Sequence, residues 1–200
     1  MNDLQMMRAK AQNGDADDAW LYGYALLNGS YPVVDAPDRV CKKNISEGVR
    51  WLELAAKRGC IGAMIELGSF YGMKVHKKMS RLQKLSCLHR ALYWEKKAWR
   101  CGEPVAAQNI AMTYSLLGRE KLCHVWLKRG YAKCSWAVIV SLAKTYYCGY
   151  GVKQDKSIAR RLYQEAIADP DVTDIDKKLA RHYLEMLERN EIPTDRRPNM

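Results

Sequence analysis

Phenylalanine is almost missing from this chain of 200 residues, with Phe70 alone against twelve tyrosines and six tryptophans, and β-branched residues seldom occur in runs. With Ala, Leu, Lys and Arg abundant instead, this mix points to helices joined at interfaces lined by amphipathic aromatics. Long apolar runs are missing too. The longest, around Trp136 to Ala143, is broken by Ser141 and is too short to span a bilayer. At the start, Met1-Asn2-Asp3-Leu4-Gln5 carries an acid where a basic n-region would sit, and no apolar stretch follows. The expectation is a cytoplasmic protein without a signal peptide.

Reactive motifs are equally scarce. The four histidines, His76, His89, His124 and His182, stand apart, with no HExxH or CxxC…HxxxH spacing to hold a metal. There is no GxxxxGK[ST], and Gly149-x-Gly151 lacks a third glycine and leads out of a helix rather than a strand, so it reads as a loop. No GxSxG elbow occurs. Seven cysteines (Cys41, Cys60, Cys87, Cys101, Cys123, Cys134, Cys148) are an odd number without a CxxC pair, which suits reduced, buried thiols better than a disulfide framework. Neither an enzyme, a cofactor nor a metal is expected.

What the chain does have is a repeat. Apolar residues make up 48% of it, enough for a sizeable core. A pattern of Leu, small residue, two others and Tyr recurs as Leu67-Gly68-x-x-Tyr71, Ile110-Ala111-x-x-Tyr114, Leu142-Ala143-x-x-Tyr146 and Leu179-Ala180-x-x-Tyr183, with Tyr22-Gly23-x-x-Leu26 as a variant. These members share one helical face, and the small one lets a partner helix come close. Between them lies a second pattern, Gly48 to Gly59 with Trp51 and Ala55-Ala56, Ala91 to Gly102 with Trp94 and Ala98, and Ala159 to Pro170 with Leu162-Tyr163 and Ala166. A degenerate copy runs from Arg119 to Gly130. Gly59, Gly102 and Gly130 stand where left-handed helix caps belong, and Asp155 stands where it can cap the helix that Ala159 continues. Tyr71, Trp94, Tyr114, Tyr146 and Tyr163, at repeat positions, are expected in the core.

Taken together, Tyr146-x-x-Gly149-x-Gly151-Val152-x-x-Asp155-x-x-x-Ala159 and Leu162-Tyr163 resemble the Sel-one-like repeat (SLR), a relative of the tetratricopeptide repeat, over about residues 14 to 185. The resemblance implies a right-handed α-solenoid of about four helix-turn-helix repeats plus a C-terminal capping helix. Residues 1–190 would form one domain and 191–200 a tail. Other copies depart from the pattern: the first hairpin loop is expanded to roughly Gly29 to Lys43, with Pro32 and Pro37, the second (about 72–84) carries a basic insertion, and the third is shortened almost to nothing. A short helix over residues 3–12 and a charged one over 173–189 are expected at the ends, because stacked repeats need caps.

Two surfaces suggest a partner. Positions two before and two after each key Leu point away from the apolar stripe, and stacking would align them along the concave wall: Trp20 and Tyr24, Ile65 and Ser69, Gln108 and Met112, Val140 and Lys144, Lys177 and Arg181. Trp20 and Tyr24 have the composition of a binding hot spot, or else of packing beneath the amino-terminal cap. The second surface follows from charge. Of the formal +11, a net +8 falls between Lys74 and Arg100, including Lys74, Lys77, Lys78, Arg81, Lys84 and Arg90 against the single acid Glu95. This run reads as a solvated face, as a site for an acidic protein surface, or as a phosphate contact. The resemblance implies an adaptor or inhibitor bound to another protein, such as an immunity protein that neutralises the toxin effector of a secretion system. The competing reading is a nucleic-acid-associated factor using the basic segment.

Overall fold

The computed structural model describes residues 3–30, 41–76, 78–133 and 136–198. Lys77, Cys134, Pro32 and Pro37 therefore lie outside the described residues. Among the described residues ten α-helices follow one another: α1 (Asp3–Gln12), α2 (Ala16–Asn28), α3 (Ile45–Lys57), α4 (Ile61–Met73), α5 (Arg81–Arg100), α6 (Ala106–Leu116), α7 (Glu120–Ala132), α8 (Ile139–Cys148), α9 (Lys156–Ala168) and α10 (Asp174–Glu188). A 3-10 turn, Trp136–Val138, leads into α8. Helices α2/α3, α4/α5, α6/α7 and α8/α9 pack as hairpins, α1 lies on α2, and α10 closes the stack on α8 and α9. This is the α-solenoid of four hairpins and a closing helix that the repeat predicts.

Local chemistry explains where helices start. Asp15 accepts from the backbone N–H groups of Asp17 and Asp18 at 2.8 and 3.0 Å. Asp155 does the same for Ser157 and Ile158, both at 3.0 Å, and Thr173 caps α10. Ser80 and Gln83 form a reciprocal capping box, so α5 begins inside the basic insertion and runs for twenty residues. Each cap contributes about 1 kcal/mol.

Packing follows the repeat register. Leu52, Leu67, Ile110 and Leu162 are at most 2% exposed, and burying each stabilises the fold by about 1.5–3 kcal/mol. A Cβ on Gly23 would lie 2.9 Å from the Leu52 backbone nitrogen, and one on Gly68 would lie 2.7 Å from Glu95 Cγ. The small position of the pattern is thus a place where helices touch. Buried side chains form two cores, one spanning α1 to the start of α6 and the other spanning α5 to α10, with Trp99 packed against both.

Three expectations need correction. Gly59 and Gly102 are left-handed, with φ of 102° and 93°, but Gly130 lies inside α7. A Cβ there would approach Ala107 Cβ to 2.8 Å and Val138 to 2.9 Å, so Gly130 serves helix contact rather than termination. Tyr114 and Tyr146 are half-buried instead of core. At the fourth hairpin the fully buried aromatic is the neighbour, Tyr147, while Tyr146 meets the His124 ring edge-on at 5.0 Å.

Candidate functional site

First helices stand beside one another, α2 by α4, α4 by α6 and α8 by α10, and their outward positions form a wall. The Trp20 indole fills the space above Gly62, where a Cβ would come within 3.0 Å of the ring. Its indole N–H is buried without a hydrogen-bond partner. Tyr24, Ile65, Ser69 and Met112 are half-buried, as is Gln108, whose amide donates to Ser141 Oγ at 3.2 Å. Lys177 is half-buried and Arg181 exposed on α10.

At α8 the wall is closed. Val140 and Lys144 are only 3% and 5% exposed, which corrects the expectation that they face outward. The covering chain is the segment after α10. Asn190 turns back with φ of 56° and accepts a hydrogen bond from Lys156 Nζ at 3.1 Å. The Tyr147 hydroxyl then donates to the Glu191 carbonyl, and Pro193 and Pro198 are buried. Hydrogen bonds from Arg197, with a smaller contribution from the nearby Lys144 charge, hold the Asp195 carboxyl below its usual range. Lys144 Nζ lies 5.1 Å from the Tyr183 ring centroid. A lysine reads as exposed in a helix pattern, and only a segment about fifty residues downstream makes it otherwise.

The basic run differs from residue to residue in burial and in contacts. Arg90 donates to the Tyr71 hydroxyl at 3.2 Å and lies over its ring, while Lys97 donates to the Ala56 carbonyl at 3.0 Å. Lys74 stands 5.5 Å from the Phe70 ring centroid. Lys74, Lys78 and Arg81 are exposed, and Lys84 is half-buried. Beside Arg81 opens a feature that the residue patterns do not announce. A cavity of about 820 Å³ separates one face of α5 from the end of α6, the three-residue turn 117–119 and the start of α7. Leu85, Leu92, Leu117 and Leu122 line it together with Tyr114, and Arg81, His89, Lys96 and Arg119 stand around it. The signal that could have exposed it is Ser80-x-x-Gln83, which starts α5 two turns earlier than a regular second helix.

Burial shifts several ionisable groups away from their ordinary titration. Glu95 accepts from Thr113 Oγ1 at 3.0 Å through one oxygen, and its other oxygen has no hydrogen-bond partner. Burial pushes its carboxyl up to about 7. His124 is held down at about 4, mainly by burial. Thr145 Oγ1 gives its proton to the Leu142 carbonyl, so at 2.9 Å it accepts from His124 Nδ1–H, which sets the tautomer of a neutral imidazole. Burial likewise raises the Cys123 thiol to about 12, an inert state. Among the described residues, no three His, Cys, Asp or Glu side chains converge to hold a metal, and no helix is long and apolar enough to cross a membrane.

Stacked two-helix units with short turns, small residues at the crossings and a wall of first helices define a helical-repeat protein of the solenoid class. The family model of the Sel1 repeat matches residues 16–60 and 139–171, so these two segments are similar to Sel1 repeats. Among solved structures, a protective antigen present in uropathogenic Escherichia coli strains, displaying an SLR fold, superimposes with a TM-score of 0.63 at 20% identity. That match covers 95% of this chain and 41% of the antigen, so the chain spans less than half of that protein's length. A Sel1 repeat protein from Oxalobacter formigenes gives 0.64 at 19% identity, covering 92% and 75% of the two chains. Both likenesses concern the fold. An immunity protein from Pseudomonas aeruginosa aligns with a TM-score of 0.30 at 16% identity over 88% of this chain and 82% of its own, a likeness that carries no argument. No curated protein matches.

Proposed function

We propose that this chain is a non-catalytic protein-binding scaffold that works in the cytoplasm as an inhibitor or adaptor, in the manner of an immunity protein neutralising a secretion-system toxin effector. The observation that carries the reading is the open part of the first-helix wall. There Trp20, Tyr24, Ile65 and Met112 stand half-buried on adjacent helices of the stack, and among the described residues no three His, Cys, Asp or Glu side chains converge to hold a metal. Aromatic and aliphatic groups fixed in this way make hot spots, because little rotamer entropy is left to lose on binding. Lys177 and Arg181 extend the wall, and Lys74, Lys78 and Arg81 add a positive edge that would steer an acidic partner.

The test is capture of the partner from the native cell, followed by measured affinity with purified components. Tyr24→Ala should weaken binding by about 2 kcal/mol, chiefly through faster dissociation. Reversing Lys77, Lys78 and Arg81 to Glu should slow association at low salt. Arg50→Glu and Arg160→Glu, on second helices, should change neither rate. If those two abolish binding while Tyr24→Ala is silent, the wall is not the binding face. Capture of nucleic acid, with affinity falling steeply as salt rises, would favour the competing reading instead.

A further inference from the structure

The cavity beside α5 exists because neighbouring repeats differ in length. Helix α5 runs for twenty residues, whereas α6 and α7 have eleven and thirteen. The three-residue turn 117–119 is too short to cover the amino-terminal half of α5, so a leucine floor that a regular neighbour would bury is left open. Leu122 is 42% exposed, and Val125, on the same face of α7, is 39% exposed. Tyr93, 61% exposed, stands at the edge between this cavity and a shallower one lined by Glu53 and Arg90.

Charge is distributed one-sidedly here. Arg81, His89, Lys96 and Arg119 border the cavity, no Asp or Glu lines it, and among the described residues none of the four makes an ion pair. Glu120 lines the adjoining depression instead, and Glu95 faces the interior. From Arg81 to Lys96 the helix rises about 22 Å. A volume of about 820 Å³ spread over that length has a cross-section of roughly 40 Å². A whole helix, 10–12 Å across, does not fit, but one file of its side chains does.

We infer that this groove takes an acidic amphipathic helix of a partner protein, whose apolar file enters between α5 and the α6–α7 turn while flanking carboxylates meet Arg81, Lys96 and Arg119. Recognition of a helix by an apolar groove reads side chains three, four and seven residues apart, and α5 lines this one with Leu85 and, seven residues on, the more deeply set Leu92. A nucleic-acid backbone suits the groove less well, because the three permanent cations, Arg81, Lys96 and Arg119, give it little to follow and aliphatic side chains form the floor. The inference deepens the scaffold reading and rests on it, but it concerns a surface separate from the first-helix wall.

Fluorescence anisotropy with the full chain tests it. The probe is a labelled peptide of about 15 residues carrying leucines at helical spacing with glutamates on either side, so that it matches the groove in length. Its controls are a scrambled peptide of the same composition and a labelled DNA duplex. The expected result is saturable binding in the micromolar range that the scrambled peptide loses by about tenfold. Leu122→Glu, and separately Arg81→Glu with Arg119→Glu, should each weaken binding by about tenfold or more. Arg160→Glu should not. Arg81, Arg119, Leu122 and Arg160 are exposed and Tyr24 is half-buried, and circular dichroism with thermal melting verifies that each variant folds. Equal binding of both peptides, no binding up to about 1 mM, or groove variants that leave binding unchanged would overturn the inference. Loss through Tyr24→Ala alone would move the site to the wall, sinking the groove and leaving the scaffold reading intact. Tighter binding of the duplex, lost in the same groove variants, would sink both.

Discussion

Nine of the ten residues of α8 are buried, whereas only six of the twenty in α5 are. Both helices belong to the same kind of hairpin. Helix α8 is enclosed by α7, α9, α10 and the returning segment 191–198, and its hairpin keeps the full repeat pattern. Helix α5 outruns its neighbours, and its hairpin departs from the pattern. The contrast suggests that conformity to the repeat serves packing here, and that usable surface appears where consecutive repeats differ in size.

Substitution can break or sharpen this contrast, and the fourth hairpin should be the less forgiving side. Gly151 has φ of 70°, and a Cβ there would collide with the Glu120 carbonyl, which belongs to the backbone at the start of α7 rather than to a side chain that could swing away. Left-handed strain and overpacking combine, so Gly151→Ala should cost about 3–4 kcal/mol in denaturant unfolding. A loss under about 1 kcal/mol would show that the loop relaxes freely and would erase the contrast. The second hairpin has one comparably tight point. Gly68→Leu should cost about 3 kcal/mol against Glu95, while Ser69→Leu, half-buried one residue on, should cost under about 1 kcal/mol. Equal melting shifts from the two would contradict the register.

The next effect depends on pH. Glu95 binds its proton more tightly folded than unfolded, since its carboxyl rises from 4.5 to about 7 on burial. Its contribution to stability is therefore fully present below about pH 4.5 and is lost as pH rises through about 7. His124 has the opposite sign. Lowered from 6.5 to about 4, it contributes above pH 6.5 and loses that contribution as pH falls through about 4. Glu95→Gln keeps an acceptor for Thr113 and should stabilise the protein by about 2 kcal/mol near pH 8 and hardly at all near pH 4.5. The same gain at both pH values in thermal melts would refute the assignment. At the bottom of the scale, Leu82 on α5 is 79% exposed. Leu82→Ala should move stability by no more than about 0.5 kcal/mol in the same melts.

Much of the scaffold was legible because each hairpin carries its own record. Leu67-Gly68-x-x-Tyr71 and its copies place first helices, and the cap at Asp155 and the helix expected from residue 173 mark starts to within a residue. Features that depend on two distant segments were not legible. Gly130 looks like a terminator until Ala107 and Val138 are seen against it. Lys144 looks like wall until residues 191–198 cover it. The groove belongs to no repeat at all, since it is a difference in length between α5 and the α6–α7 hairpin. Glu95 offered no warning, because its surroundings come from Gly68 on one side and Thr113 on the other.

Trp99 gives the stack a property that neither core has alone. In a solenoid each unit touches only its neighbours, so the whole behaves like a row of coupled switches whose cooperativity is limited by the weakest junction. Trp99 packs against both cores and meets Trp126 edge-on at 5.5 Å, placing one large side chain across the boundary. Melting of the amino-terminal half strips contacts from that ring, and the carboxyl-terminal half then loses the same anchor. The seam at Trp99, rather than the strength of either half, decides whether heat meets one cooperative unit or two that fail in turn.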